Sequence, residues 1–255
     1  YLYYDDSILL KRLSLYPYVQ LGVMVLFVLI VYFALISTKK AEQNKVWVGL
    51  SKETAHQLGT PISSLMAWMD LLESSGVDPS LLSDMNKDVN RLSVIAERFS
   101  KIGSKPEMEL IYVNEVLENA TEYMRRRVSD KVLITTHLPS DAEGAMVCLS
   151  LFEWVIENLC KNAVDAMNGE GRIDVYMTSE KQQIYIDIKD TGKGIARKNF
   201  KTVFNPGYTT KKRGWGLGLT LAKRIIEDYH AGRIYVKDSE VGKGTTFRIE
   251  LKRVV

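Results

Sequence analysis

ENLCKNAVDAM, residues Glu157–Met167, and QIYIDIKDTGKGI, residues Gln183–Ile195, decide how this chain folds. The first reads as a helix. At 3.6 residues per turn, Asn158, Asn162 and Asp165 fall within about 60° of one another. Val155, Leu159, Ala163 and Ala166 form an apolar set roughly 100° away, so the polar side chains line the edge of a core. Two neutral carboxamides one turn apart suit a Mg²⁺ that also takes phosphate oxygens and water. A solvated polar face is the alternative. The second stretch alternates like a strand and breaks at Asp190. Gly192 and Gly194 permit positive φ and close approach of a ligand. A carboxylate at that strand end can accept from an exocyclic amine, which adenine offers, whereas guanine presents an oxygen there. An unmet buried acceptor costs roughly 1–3 kcal/mol. Asp-Thr-Gly turns also occur with no ligand.

Two further glycine segments extend the pattern. GWGLGL, Gly214–Leu219, opens a predicted helix over Leu217–Tyr229. Glycines before a helix bring free amides and the positive end of its dipole to phosphate, which makes Gly214, Gly216, Leu217 and Gly218 candidates. The preceding NPGYTTKKRGW is loop-like rather than a strand, against a dinucleotide-binding fingerprint. Lys211, with Lys212 and Arg213, reaches towards phosphate or forms a solvated charge run. GKGTTF, Gly242–Phe247, is a turn entering a final strand. Strand-like runs are KVLITTHL, GRIDVYMT, QIYIDIKD, GRIYVKD and TTFRIEL; helices are expected at 114–128, 151–167 and 217–229. Short turns such as SEKQQ join successive strands. The sum is an α/β layer of about 150 residues with a mixed or antiparallel sheet.

The N-terminal part has a different texture. No charge occurs between Leu13 and Thr38, and YVQLGVMVLFVLIVYFALIS fills Tyr18–Ser37. About 20 apolar residues at 1.5 Å rise cross the roughly 30 Å hydrocarbon layer; a buried core helix is the alternative. Tyr16, Tyr18 and Tyr32 fit interfacial positions. Lys39, Lys40, Lys45 and Lys52 after the span outnumber Lys11 and Arg12 before it, which favours a cytoplasmic C-terminal side. The run is too long for a signal peptide and no small-residue cleavage site follows. The first residue is Tyr rather than Met, so a truncated sensor region is expected ahead of the span.

From Ala41 the periodicity is helical. Ala55, Leu58, Ile62, Leu65, Met69 and Leu72 form one seam; Met85, Val89, Leu92, Ala96 and Phe99 form a second. SSGVDPS, Ser74–Ser80, breaks the helix between them. A hairpin of about 60 residues cannot close a core by itself. Two copies make a four-helix bundle, so a homodimer through the hairpin is expected. The alternative packs the hairpin on the remainder of the same chain. About 20 residues separate the span from His56, so a continuous helix is expected to join them. Among 255 residues, 34 basic and 31 acidic side chains give a net charge of +3, no general argument for nucleic acid. The composition, 46% hydrophobic and 25% charged, excludes wholesale disorder and disulfide scaffolds. Cys148 and Cys160 read as reduced core thiols in a helical segment, and His56, His137 and His230 are too scattered for a metal cluster.

In their order and spacing the four glycine and asparagine segments resemble the nucleotide-binding domain shared by gyrase-type ATPases, Hsp90 chaperones, MutL proteins and sensor histidine kinases. The resemblance covers about Glu107 to Val255. VFNPGYTTK and GLGLTLAKRII are most similar to the histidine kinase branch. KETAHQLGTPISSL, Lys52–Leu65, resembles the phosphoacceptor box of those kinases. The resemblance implies Mg²⁺-ATP, with Asn162 and Asn158 towards the metal, Asp190 on adenine and Thr245 supporting it. Lys161, Asp165, Lys211 and the glycines join the nucleotide site, and Ala196–Arg213 forms a lid. It implies that His56 accepts the phosphoryl group and passes it to an aspartate on a response regulator receiver domain.

Two departures matter. The family usually has Glu or Asp directly after the acceptor; here it is Gln57, which accepts a hydrogen bond but is no base near pH 7. Thr60, one turn beyond His56, stands where a polar residue helps position water for dephosphorylating the regulator. The ATPase branch places a water-activating Glu four residues before the metal-binding asparagine. Here that residue is Asn158, which favours transfer to another acceptor, although Glu157 is adjacent. The expected organisation is an extracytoplasmic tail over 1–17, a transmembrane helix over 18–37, a dimerisation and phosphoacceptor hairpin over 38–104, and a catalytic ATP-binding domain over 105–255. The expected location is the inner, cytoplasmic membrane of a bacterium, in contact with lipid, with the catalytic part cytoplasmic. An ATPase or chaperone-like machine of the same fold, and a non-enzymatic ATP-switched membrane scaffold, are the rival functions.

Overall fold

The computed structural model describes residues 8–104, 106–211 and 216–254, and the chain divides into two compact units after Gly103. The expected tail over 1–17 falls partly, and Lys212, Arg213 and Gly214 fall wholly, outside the described residues.

The first unit is a helical hairpin. Helix α1, Ile8–Ser74, runs unbroken through Pro17 and Pro61 and carries both the apolar stretch and His56. Within it lies Tyr16–Lys39, 24 residues whose most apolar 18-residue window has mean hydropathy 2.7 and no buried residue. The end of α1 is a Schellman motif. Gly76, at φ 77°, takes the left-handed position, Gly76 N–H bonds Glu73 O and Val77 N–H bonds Leu72 O. Asp78 then caps helix α2, Pro79–Gly103, by accepting from Ser80 N–H at 2.9 Å, with Pro79 in the first turn. Ile62, Met69, Val89 and Ala96 form the hairpin core, with Leu58 and Leu65 packed against it. Other seam residues stay open: Leu72 is 37% exposed, Met85 44% and Leu92 41%. One chain therefore covers only part of the two predicted seams.

The second unit is a two-layer α/β domain. Its elements are β1 (Glu109–Tyr112), α3 (Val113–Arg125), β2 (Val132–His137), β3 (Gly144–Val147), α4 (Leu149–Ala166), β4 (Gly171–Glu180), β5 (Gln183–Asp190), α5 (Gly218–Arg224), β6 (Arg233–Glu240) and β7 (Gly244–Lys252). The main sheet has the order β2-β4-β5-β7-β6. β2 and β4 are parallel; the other pairs are antiparallel. The sheet is therefore mixed, as the short turns predict. The alternation of β5 places Ile184, Ile186, Ile188 and Asp190 on one buried face, while Asp187 points the other way. There Arg248 donates to both Asp187 oxygens at 2.6 and 2.7 Å, and Lys237 Nζ donates to Oδ2 at 2.6 Å. Leu151, Phe152, Val155, Leu159 and Cys160 of α4 are buried in the core.

Three features differ from the sequence reading. β1 and β3 pair antiparallel as a separate small sheet. Each has four residues, too few to show alternation. Cys148 precedes α4 rather than lying in a helix; both cysteines are free and buried, and burial pushes the Cys160 thiol up to about 12. The helix expected over 217–229 is α-helical only to Arg224 and continues as a π turn, Ile225–Tyr229. His230 explains the wider turn: its N–H and its ring Nδ1 both reach the Ile225 carbonyl, at 3.2 and 2.7 Å. Its Nε2 accepts from Cys148 N–H at 3.0 Å, so Nδ1 carries the proton.

Burial lowers the His230 pKa from its ordinary 6.5, with the Ile225 carbonyl opposing it. The unfolded chain therefore binds this proton first on acidification, and stability falls as pH drops below about 6.5. Urea midpoints measured from pH 7.5 to 5.5 should fall in the wild type. His230→Gln should start less stable and fall less over that window; parallel curves would remove His230 as a cause.

Candidate active site

The same alternation that buries the β5 isoleucines carries Asp190 inward at the strand end, where it is 3% exposed. β7 lies alongside, and register pairs Asp190 with Thr245, also buried. Asp190 Oδ1 accepts from Gly192 N–H at 2.8 Å and Thr245 N–H at 3.3 Å. Both bonds fall on Oδ1, which leaves Oδ2 to meet a ligand. Burial pushes the Asp190 carboxyl up, and the two amide bonds pull it part of the way back. A residue that the sequence did not single out completes this end. Ser239 Oγ accepts from Ile195 N–H at 2.7 Å, lies 3.0 Å from Thr245 Oγ1 and donates to Gly244 O at 2.9 Å. A serine near the end of β6 carries no local signal; only the sheet register brings it to Thr245.

The glycines of DTGKGI require a correction. The sequence reading gives their space to a ligand; in the structure the chain's own backbone takes it. A Cβ on Gly192 would lie 2.8 Å from the Ala166 backbone, and one on Gly194 would lie 2.1 Å from Glu240 O. Gly194 has φ 72°; Gly192 is not among the positive-φ glycines. Lys193 N–H bonds Ala166 O and Gly242 N–H bonds Lys193 O, which ties this turn to α4 and to the β6–β7 turn. Gly216 likewise sits against the backbone of Gly207 and Tyr208.

On α4, Asn158 and Asn162 are half-buried, while Lys161 and Asp165 are exposed. Gly218 opens α5 beside them: a Cβ there would lie 3.6 Å from Asn158 Oδ1 and 3.8 Å from Asn162 Nδ2. Leu217 precedes it, half-buried, its carbonyl accepting from Leu221 N–H at 2.8 Å. Asn158 Nδ2 is buried with no hydrogen-bond partner, a donor in want of an oxygen acceptor. Lys211, for which the sequence leaves open a reach towards phosphate or a solvated charge run, is held by α4 instead. Its Nζ donates to Asn162 Oδ1 at 3.1 Å and to Asp165 Oδ2. Two oxygens of α4 thus converge on a cation, which is the donor chemistry that a Mg²⁺ requires. The 196–211 segment forms two 3₁₀ turns, Arg197–Asn199 and Thr202–Phe204. Phe204 anchors it edge-on to Phe247 with centroids 6.1 Å apart, and Lys193 Nζ donates to Thr210 Oγ1 at 2.8 Å.

The second group lies on α1. His56, Gln57 and Thr60 are all exposed. Gln57 Nε2 donates to Glu53 Oε1 at 2.7 Å, and Thr60 Oγ1 donates to the His56 carbonyl at 3.5 Å.

Residues 149–255 match the family described as histidine kinase-, DNA gyrase B-, and HSP90-like ATPase. This stretch is similar to the ATP-binding domains of that family. The chain is homologous to bacterial sensor and sporulation kinases. Sporulation kinase A of Bacillus subtilis is 26% identical over 220 residues, covering 84% of this chain and 36% of the relative. Sporulation kinase E of the same organism is 29% identical over 220 residues, covering 84% and 29%. The chain thus spans about a third of the length of these two relatives. In fold it is similar to full-length ShkA in complex with AMPPNP (TM-score 0.62, 19% identity, 81% of this chain and 46% of that chain). It is also similar to the histidine kinase ThkA in complex with the response regulator protein TrrA (TM-score 0.55, 19% identity, 85% and 65%).

The glycine geometry separates two substitutions that look alike in sequence. Gly207 has φ 78° with nothing near its Cβ position, so Gly207→Ala should cost about 1–2 kcal/mol of backbone strain alone. Gly194→Ala adds a collision with the Glu240 carbonyl and should destabilise the domain well beyond that, read as a larger loss in urea midpoint. Equal losses would show that the Gly194 turn opens at no cost.

Proposed function

We propose that this chain is the transmitter part of a membrane-anchored sensor histidine kinase. One observation carries the reading: a histidine kinase-type ATP-binding domain follows, in the same chain, a helical hairpin with an exposed histidine. Mg²⁺-ATP binds the α/β domain, His56 takes the γ-phosphoryl group, and an aspartate on a response regulator receiver domain receives it. ThkA, which shares the fold, is known in complex with a response regulator. Asp190 Oδ2 accepts from the adenine amine, with Thr245 beside it. Asn162, with Asn158, would hold a Mg²⁺, which would supply neutralisation of phosphate charge. Asn158 Nδ2, Lys161, Asp165 and the amides at Gly216–Gly218 line the phosphate end, and the 196–213 segment covers it. Lys211, held by Asn162 Oδ1 and Asp165 Oδ2, marks where a cation would sit beside them.

The remaining assignments follow the same reading. Residues 18–37 cross the membrane: a 24-residue apolar stretch with no part buried needs lipid around it. The basic excess after the span puts 38–255 in the cytoplasm. Leu72, Met85 and Leu92 are the open part of a seam that a second copy completes, as a four-helix bundle of two hairpins. In this reading Thr60, one turn beyond His56, would help position water for dephosphorylation of the regulator.

Incubation of the chain with γ-labelled ATP tests this directly. Label should map to His56, and His56→Gln should abolish it with ATP affinity nearly unchanged. Asn162→Ala should lose labelling too, with weakened ATP binding mainly when Mg²⁺ is present. ATP turnover with no stable phosphoprotein would favour an ATPase or chaperone-like machine. ATP binding with neither turnover nor label would favour a non-enzymatic scaffold.

A further inference from the structure

Phosphorylation of a neutral imidazole creates a proton problem. One ring nitrogen of His56 attacks the γ-phosphorus with its lone pair. The bond from phosphorus to the bridging oxygen breaks, and that electron pair leaves on ADP. The ring is then cationic, with a proton on its other nitrogen, and the neutral phosphoimidazole forms when that proton departs. Gln57, the next residue, is no base. Thr60 turns its hydroxyl to the His56 carbonyl. Between Glu42 and Asp70, helix α1 carries a single carboxylate, Glu53.

Glu53 stands three residues before His56, a separation that puts Cβ atoms about 5–6 Å apart on one helix face. At 100° per residue Glu53, His56, Gln57 and Thr60 share an arc of about 100°. All four are exposed, so the face is open to an incoming nucleotide. The Glu53 carboxylate is also held. Its Oε1 accepts from Gln57 Nε2 at 2.7 Å, which fixes one oxygen and leaves Oε2 for the imidazole N–H. On α2, the Glu97 carboxylate is paired with Lys101 at 3.0 Å. We infer that Glu53 is the proton acceptor for phosphoryl transfer to His56, with Gln57 as the residue that positions its carboxylate. The assignment rests on the histidine-kinase reading above and deepens it.

Glu53→Gln tests it cleanly. The substituted amide oxygen still accepts from Gln57, so the side-chain bond survives while the base is lost. In the full chain, the initial rate of His56 labelling from γ-labelled ATP should fall about a hundredfold or more. ATP affinity should stay unchanged. Adding Gln57→Glu to Glu53→Gln restores a carboxylate on the same face and should recover most of the rate. A purely structural role for Glu53 would give no such recovery. Wild-type rate in Glu53→Gln, or a double variant as slow as the single one, would overturn the assignment. A wild-type chain that binds ATP but never labels His56 would overturn the kinase reading, and the assignment with it.

Discussion

Everything around Asp190 depends on the two-residue period of β5. Because Ile184, Ile186 and Ile188 must face the helices, Asp190 must face them as well, two residues further on. A carboxylate in that position is costly to bury unless its oxygens are met. Backbone amides of Gly192 and Thr245 meet one oxygen, and this fixes both neighbouring turns. The turn after Asp190 folds back on the end of α4, and the β6–β7 turn closes over Gly194, where no side chain fits. A one-residue slip of β5 would exchange Asp190 for Lys189 and expose three isoleucines together. The same slip would break the Asp187 pair with Arg248 and Lys237 on the opposite face. Hydrophobic register and site geometry are therefore one constraint.

The hairpin unit works by a different economy. α1 is a single helix from Ile8 to Ser74, so the apolar stretch and His56 share one rigid phase. The Schellman turn at Gly76 and the Asp78 cap fix where α2 starts, and with it the register of Val89 and Ala96 on Ile62 and Met69. His56 follows the half-buried Ala55 and is exposed. In the proposed function this serves both needs of an acceptor: a stiff support from the core and an open approach for the phosphoryl donor.

Much of this was legible in the sequence because it rests on periodicity. The five long strands, the mixed sheet, α4 and the hairpin all follow from alternation, seams and turn residues. Asp190, Asn158 and Asn162 were found because they interrupt apolar patterns at defined phases. What escaped has equally physical reasons. β1 and β3 are too short for a period to register. Ser239 reaches Thr245 only through cross-strand register. The π turn depends on His230, whose ring bonds Cys148 across 82 residues of sequence. Lys211 looked like a free cation within a basic run, yet Asn162 and Asp165 satisfy it. Glycine readings were half right: Gly192 and Gly194 are indispensable in size, but for contact with the chain's own backbone.

In the proposed function, a buried, backbone-held carboxylate at the end of β5 selects adenine. Calorimetric titration of the chain with ATP and with GTP, each with Mg²⁺, tests it most directly, with Asp190→Asn measured in parallel. The account predicts that ATP binds roughly ten- to a hundredfold more tightly than GTP, the cost of one unmet buried acceptor. It also predicts that the preference collapses in Asp190→Asn, whose amide can donate to the guanine oxygen. Equal affinities for ATP and GTP in the wild type, or an undiminished preference in the variant, would contradict it.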